Sequence, residues 1–302
     1  MNNTQRRHRI IAGVMVVLLV LISVKLWDYF SHLKKYEEMP STAVETTVPP
    51  TTVPETETEP ETEPEIIDPE LLREIDFKSL KEKNEDVVAW IYIPDTVINY
   101  PVLWRKDDNN YYLRRDIDKR EGSYDGIFMD GSDTPDMSQR QILFYGHHMK
   151  NGTMFTKICD YKEEDFFKEH RKVYFYTPDH AYALRTMACL YTDSSPEKRK
   201  VEFADQLEFD AYVNEMTKRC SFREIPEGGV EQIFSFVTCS YEFNDARTIL
   251  YCYEVDSHGN PVRSTEAEEE TSEAEKDKDS SAADKDKNAS AAAGSTEETR
   301  KQ

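Results

Sequence analysis

Two residues near the end of the chain have the types and the spacing of a reactive pair. Cys239 ends an apolar, strand-like segment at residues 231–239, and Arg247 opens the next such segment at residues 247–255. If the two segments pair as a hairpin, the connection at residues 240–246 returns Arg247 to the side of Cys239. A guanidinium beside a thiol favours the thiolate and can stabilise an oxyanion. The spacing therefore predicts a nucleophilic cysteine, although a cysteine considered alone is more often structural.

A histidine supplies the acid or base that such a cysteine needs. The apolar segment at residues 141–145 runs into Gly146, His147 and His148. A strand end next to a permissive glycine is a favourable place for a catalytic side chain, and His147 is the candidate. Two alternatives remain. A metal site on both histidines is disfavoured because adjacent strand residues point to opposite faces, and both histidines could be ordinary loop residues.

The other four cysteines carry no metal or redox motif. They are Cys159, Cys189, Cys220 and Cys252, and no two of the five cysteines are spaced as CxxC. This spacing argues against zinc and thioredoxin-type sites. Cys189 and Cys252 lie inside apolar segments and are predicted to be small core residues. The odd number means that at least one thiol is free or pairs with another molecule. We expect no metal and no organic cofactor.

The elements that must position these residues are predicted to be mostly strands. Residues 69–255 form the candidate domain, with many short apolar segments between turn residues. Helical spacing occurs at residues 69–83 and at 205–219, the second just before the strand that ends in Cys239. Many short strands with few helices predict a mainly β fold, a barrel or a sandwich with peripheral helices.

The start of the chain has the composition of a membrane anchor. An apolar run extends from Ile10 to Val24, Lys25 interrupts it, and Leu26, Trp27, Tyr29 and Phe30 follow. A helix over residues 10–30 therefore holds about 20 residues, the length that spans a bilayer. The arginines within residues 1–9 place the N-terminus in the cytoplasm and the remainder outside the cell. A cleaved signal peptide is the alternative, but the bulky sequence at 26–28 (LWD) does not resemble a cleavage site.

Two further segments have compositions that do not bury a core. Residues 31–68 include a Thr/Pro/Glu-rich repeat, which we expect to be an extended extracellular stalk, and residues 256–302 form an acidic tail that we expect to be disordered. The chain has a net charge of −21 and no basic patch in residues 71–255, which argues against nucleic acid as a partner.

Several separated segments resemble, in order along the chain, those of class B sortases. They are residues 87–94 (VVAWIYIP), 98–102 (INYPV), 111–113 (YYL), 126–130 (GIFMD) and 145–149 (YGHHM), followed by Thr238-Cys239 and then by Arg247. The resemblance covers about residues 71–255. It implies the closed sortase β-barrel with the helical additions of class B.

The resemblance also implies the reaction and the catalytic residues, which are His147, Cys239 and Arg247. The Cys239 thiolate would attack the Thr carbonyl of a C-terminal sorting motif in a secreted protein, and His147 would protonate the leaving amine. An amine of a peptidoglycan precursor would then resolve the thioacyl-enzyme. Arg247 would hold the substrate and the oxyanion. No cofactor is needed.

Alternatives and departures accompany this resemblance. A hydrolytic cysteine peptidase, a pilin-polymerising sortase and a non-catalytic surface scaffold remain open. Val237 stands where the family usually has a serine two positions before the cysteine, and His148 stands where an asparagine is common. We interpret His148 as a loop residue. The acidic tail is not expected from the family.

Overall fold

The computed structural model describes residues 3–45, 68–122, 126–220, 222–239 and 245–263. Most of the predicted stalk and nearly all of the predicted tail lie outside these residues. Helix α1 spans Asn3–Ala43 and therefore includes the predicted anchor. Its stretch Arg7–Trp27 is long and apolar enough to cross a membrane, and the apolar side chains of this stretch are exposed. This helix is compatible with a membrane anchor.

Eight strands form a closed barrel, as predicted. Outside it, strands β1 (Val44–Glu45) and β2 (Glu74–Ile75) form a two-stranded pair. The barrel strands are β3 (Val87–Tyr92), β4 (Asn99–Leu103), β5 (Ile127–Met129), β6 (Gln141–Gly146), β7 (Lys172–Tyr176), β8 (Ala181–Thr192), β9 (Ile233–Cys239) and β10 (Arg247–Glu254). Their order around the barrel is β10-β8-β7-β3-β4-β5-β6-β9. The pairs β4–β5 and β6–β9 are parallel, whereas the other barrel pairs are antiparallel.

Short helices occupy the connections between the strands. The α-helices are α2 (Phe77–Lys83), α3 (Glu164–Glu169) and α4 (Gln206–Thr217). The 3-10 helices span Pro69–Leu72, Tyr112–Arg114, Phe155–Lys162 and Pro196–Arg199. The helix predicted before the last two strands is confirmed as α4, which begins where the side chain of Asp205 accepts a hydrogen bond from the N–H of Glu208.

The single helix predicted at residues 69–83 is wrong. Asp68 caps a short 3-10 helix, which ends at Arg73 with extended backbone (φ −67°, ψ 122°). Strand β2 follows, and Asp76 then starts α2 by accepting a hydrogen bond from the N–H of Ser79. Two capping aspartates therefore divide a segment whose apolar spacing alone suggests one helix.

Aromatic rings fill the interior of the barrel. The ring centroids of Phe144 on β6 and Phe175 on β7 are 4.7 Å apart. Since β6 and β7 are not neighbours in the barrel, this contact crosses its interior. Phe234 and Phe236 on β9 also stack on Phe144. Because side chains alternate along a strand, Cys239 at the end of β9 faces outward.

Helix α4 covers part of the outer face. Its residues Phe209 and Val213 belong to a buried cluster with Leu143 of β6 and Ile233 of β9. Ile233, at the start of β9, is buried, whereas Cys239 at the end of the same strand is only half-buried. The outer face is therefore covered at one end of β9 and open at the other.

A buried acidic residue under β6 makes the stability depend on pH. Asp133 is 1% exposed, and its Oδ2 accepts a hydrogen bond of 2.8 Å from the N–H of Leu143. Burial, assisted by the charge of Asp130, raises the pKa of Asp133 to about 7. A carboxyl that holds its proton more tightly in the folded state reduces stability as pH rises from about 4, its unfolded pKa, to about 7. Below pH 4 both states are protonated and this effect is absent.

We expect Asp133→Asn to remove the loss of folding stability that occurs as pH rises. An amide keeps an acceptor for the N–H of Leu143 and has no charge to desolvate. The gain in free energy of unfolding should be about 2–4 kcal/mol larger at pH 8 than at pH 4, because one pKa unit corresponds to about 1.4 kcal/mol. Denaturant titration of the full chain in detergent at both pH values measures it. Asp179→Asn, at an exposed turn position, is the control, and equal gains at both pH values would contradict the expectation.

Candidate active site

Three neighbouring strand ends bring the predicted residues together. In the parallel pair β6–β9, Gly146 lies opposite Thr238, and in the antiparallel pair β9–β10, Cys239 lies opposite Arg247. The predicted hairpin is therefore confirmed. His147 follows Gly146 directly, and Cys239 follows Thr238. His147, Cys239 and Arg247 all line one open cleft of about 330 Å³.

A thiol and a guanidinium share the β9–β10 end of the cleft. The Cys239 side chain is half-buried and forms no disulfide. Arg247 is also half-buried, and its Nη1 donates a hydrogen bond of 2.9 Å to the carbonyl oxygen of Ala246. Residues opposite each other on an antiparallel ladder have Cα atoms about 4.5–5.5 Å apart, so the long Arg247 side chain can reach the thiol. A permanent cation there stabilises negative charge on sulfur or on a nearby oxygen.

The His147 imidazole is held by a main-chain carbonyl. Its Nε2 lies 2.8 Å from the carbonyl oxygen of Leu113, in the 3-10 helix Tyr112–Arg114. A carbonyl oxygen only accepts, so this contact assigns the hydrogen to Nε2 and makes Nδ1 the nitrogen that gains and loses a proton. Such a contact fixes both the tautomer and the orientation of the ring. The side chain can therefore serve as both acid and base.

Sequence reasoning missed the side walls of the cleft. One wall comes from the connection after β4 and the other from the connection after β8, with the 3-10 helix Pro196–Arg199. The wall residues are Asn109, Asn110 and Leu113 on one side, and Asp193, Ser194, Ser195, Lys198 and Arg199 on the other. Apart from residues 111–113, which resemble class B sortases, both segments are polar and without periodicity, so their sequences do not indicate that they share a site.

One wall is braced by a buried lysine. The Lys198 side chain is 4% exposed, and its Nζ lies 3.0 Å from Asp193 Oδ1 and 2.8 Å from Glu197 Oε1. Because both carboxylates are exposed, we expect the lysine to order this wall more than to stabilise the fold. The floor of the cleft is apolar and includes Val237, on the same outward face as Cys239. The site therefore has no hydroxyl two positions before the cysteine.

His148 lies beyond the end of β6, as expected for a loop residue, and its side chain also makes defined contacts. Its Nδ1 lies 3.1 Å from the carbonyl oxygen of Cys239 and 3.4 Å from Cys159 Sγ. His147 instead contacts the carbonyl oxygen of Leu113. Within the described residues, no cluster of three or more His, Cys, Asp or Glu side chains could hold a metal ion.

Three of the remaining cysteines, Cys189, Cys220 and Cys252, are poor nucleophiles. Cys189 and Cys252 are buried, as predicted, and burial raises the pKa of both thiols well above the usual value. Burial also raises the pKa of the half-buried Cys220 to about 12. All five cysteines are free thiols in this structure. Cys239 is the cysteine that lines the cleft.

Gly146 occupies a position with no room for a side chain. A Cβ there would lie 2.5 Å from Ile127 Cδ1 and 2.6 Å from Phe155 Cγ. We expect Gly146→Ala to lower the free energy of unfolding by about 1–3 kcal/mol through overpacking. It should also reduce turnover by about tenfold or more, because His147 is the next residue.

A double-mutant cycle tests the cause of that loss. Adding Phe155→Leu removes part of the ring that the new methyl meets, so the double variant should be more stable than the sum of the single effects predicts. Chemical denaturation measures the three free energies. Additive effects, or an unchanged stability of Gly146→Ala, would show that the close approach is unimportant.

Comparison with known proteins agrees with this geometry. The family model for the sortase domain matches residues 91–255. Over 168 residues the chain is 27% identical to Sortase B of Listeria monocytogenes, and the aligned region covers 55% of this chain and 68% of the relative. It is 28% identical over 171 residues to Sortase B of Staphylococcus aureus, which covers 56% of this chain and 69% of the relative.

Solved structures show the same likeness. Sortase B of Clostridium perfringens matches with a TM-score of 0.56 and 27% identity, covering 60% of this chain and 100% of that chain. A Staphylococcus aureus sortase B–substrate complex matches with a TM-score of 0.55 and 25% identity, covering 60% of this chain and 86% of that chain.

The closed barrel and the sortase domain match together define a transpeptidase of the sortase type. The chain belongs to the sortase family, and its relatives place it in class B.

Proposed function

We propose that this sortase cleaves a C-terminal sorting motif of secreted proteins after Thr and transfers the acyl group to an amine of a cell-wall peptidoglycan precursor. The register that places Cys239 opposite Arg247, and next to the strand end that carries His147, is the observation that supports this proposal. The resemblance of the fold to a sortase B–substrate complex supports the class of substrate.

In the proposed first half-reaction, the Cys239 thiolate attacks the Thr carbonyl carbon and forms a tetrahedral oxyanion. Arg247 stabilises the negative charge that moves from sulfur to oxygen. The intermediate collapses with cleavage of the C–N bond, and His147 gives its proton to the leaving amine. The product is a thioester between the substrate acyl group and Cys239, and no electrons are gained or lost.

In the proposed second half-reaction, an amine attacks the thioester. His147, now without its extra proton, accepts one from the attacking amine. The C–S bond breaks, the new amide leaves, and Cys239 returns as the thiolate. The Leu113 carbonyl holds the imidazole in one orientation through both steps, because its contact uses Nε2 and leaves Nδ1 to exchange the proton.

The proposed location is the cell membrane, with residues 1–9 in the cytoplasm, a single span at residues 10–30 and the barrel outside the cell. The long apolar helix at Arg7–Trp27 supports a single span. In this arrangement the stalk and catalytic domain lie on the side where exported substrates and wall precursors meet. Protease added to intact cells should remove the barrel and leave the anchor, whereas protection of the barrel would contradict this topology.

Analysis of the products with and without an acceptor tests the reaction. The full chain in detergent is incubated with peptides that carry Pro-x-Thr motifs, with or without triglycine, and the products are identified by mass spectrometry. We expect the amide of triglycine to replace the free acid as triglycine is raised. Free acid alone at saturating triglycine would contradict acyl transfer and favour a hydrolytic peptidase, and an uncleaved peptide set would favour a non-catalytic role.

A further inference from the structure

A histidine and a second cysteine contact the main chain of the proposed nucleophile. His148 Nδ1 lies 3.1 Å from the carbonyl oxygen of Cys239. The sulfur of Cys159, in the 3-10 helix Phe155–Lys162, lies 3.4 Å from the same nitrogen and 3.8 Å from the same oxygen. Three groups therefore converge at the last described peptide of β9. None of the reaction steps proposed above uses His148 or Cys159.

These contacts come from the interior side of the barrel. Cys159 Sγ also lies 3.6 Å from the Oγ1 of Thr248, which pairs with Thr238 in the β9–β10 ladder. Both threonines are buried, on the face that alternates with that of Cys239. Cys159 itself is 7% exposed. The pair therefore contacts the Cys239 main chain from the side opposite to the cleft and its thiol.

The contact has a defined direction. A carbonyl oxygen only accepts, so His148 Nδ1 carries a hydrogen and donates it to the Cys239 carbonyl. The direction of that carbonyl is set by the ψ angle of Cys239, which also sets the course of the chain as it leaves β9. With the Cys239 carbonyl held on one side and the Arg247 ladder partner on the other, the backbone that carries the thiol has little freedom.

We propose that His148, packed against Cys159, is a positioning residue for the sortase reaction. By donating to the Cys239 carbonyl, it keeps the thiol aligned with the Arg247 guanidinium and the His147 imidazole. The inference rests on the proposed function, in which Cys239 is the nucleophile. A misplacement of about 1 Å at a reacting atom can cost on the order of 100-fold in rate, so a hydrogen bond that fixes this backbone affects catalysis without touching the substrate.

Two variants of similar size separate donation from packing. His148→Leu removes the donor, whereas His148→Asn places an amide N–H near the position of Nδ1. With the full chain in detergent and the Pro-x-Thr peptide, we expect His148→Leu to lower kcat about tenfold with KM changed by less than about twofold. His148→Asn should keep about half of kcat or more. Cys159→Ala, which leaves the imidazole less firmly packed, should lower kcat about threefold.

Controls distinguish this effect from a general loss of structure. His180→Leu changes an exposed histidine that pairs with Glu254 away from the cleft, and it should leave kcat unchanged. A parental kcat in His148→Leu would overturn the proposal, as would an equal loss in His148→Leu and His148→Asn when both are folded. If His148→Leu does not fold, His148→Gln replaces it, because its amide donor is displaced by one methylene. The His148→Gln variant must then show the same fall in kcat.

A Cys239→Ala variant in the same series separates the two proposals. If Cys239→Ala still forms product, the proposed function fails and the positioning role fails with it. If Cys239→Ala is inactive and His148→Leu has parental kcat, the proposed function stands and the positioning role alone is overturned.

Discussion

Replacing Cys239 by alanine should abolish acyl transfer, with a loss of about a thousandfold or more in kcat/KM. Cys239 is the cysteine in the cleft, which His147 and Arg247 also line. A small substitution at a half-buried outward position should leave the fold intact. Turnover of a quenched sorting peptide measures the activity, and a denaturation curve checks that the variant is folded.

The matched control for this variant is Cys220→Ala. Cys220 is also half-buried, but its thiol lies against the cluster under α4 and its pKa is raised to about 12. It should remain fully active. Iodoacetamide at neutral pH should modify Cys239 and spare Cys220, with inactivation following the modification of Cys239. Activity in Cys239→Ala, or inactivation without modification of Cys239, would contradict the nucleophile assignment.

Replacing His147 by alanine should lower kcat about 100-fold to 10,000-fold, which is the usual contribution of a general acid–base. Its removal leaves the leaving amine without a proton donor and the acceptor amine without a base. KM should change little, because the imidazole is held by the Leu113 carbonyl and by the strand end, not by the substrate. Steady-state kinetics of the full chain in detergent separate the two parameters.

His180→Ala serves as the matched control, since it removes an exposed imidazole remote from the cleft. A His147→Ala variant with parental kcat would exclude the acid–base role. A further check uses leaving groups. Peptides with a more acidic leaving amine need less help from a proton donor, so they should lose less activity in His147→Ala than the unmodified peptide does.

The barrel strands and the pairing of Cys239 with Arg247 could be predicted from the sequence, because both depend on residues that are close together in the chain. Short apolar segments with turn residues between them predict the barrel strands, and the segments predicted at residues 141–145, 231–239 and 247–255 lie within two residues of β6, β9 and β10. The short strands β1 and β2 were not predicted. The relation of Cys239 to Arg247 requires only one hairpin. His147 is found by a local rule as well, since it follows a strand end and a glycine that has no space for a methyl group.

The cleft walls and the contacts of His148 could not be predicted in this way. The wall residues near Asn109 and Lys198 come from polar connections whose proximity depends on the closure of the barrel. The partners of His148 depend on the same closure, because Cys159 meets Cys239 only after the 3-10 helix packs beneath β9 and β10. Apolar spacing also predicted one helix from residue 69, whereas the cap at Asp76 makes helix α2 begin at Phe77.

Because β6 pairs in parallel with β9, the order in which the chain is exported determines when the proposed site can form. His148 and Cys239 are 91 positions apart, and the parallel pair β6–β9 needs a long connection, so both strands must be outside the membrane before it can form. In the proposed topology the anchor enters the membrane first, and Cys239 emerges after His147 and His148. A chain that has been exported only past residue 148 has His147 and His148 outside the membrane but no thiol beside them. The proposed site is therefore incomplete until β9 and β10 have also left the membrane, so a chain exported only as far as His148 has no thiol to be acylated.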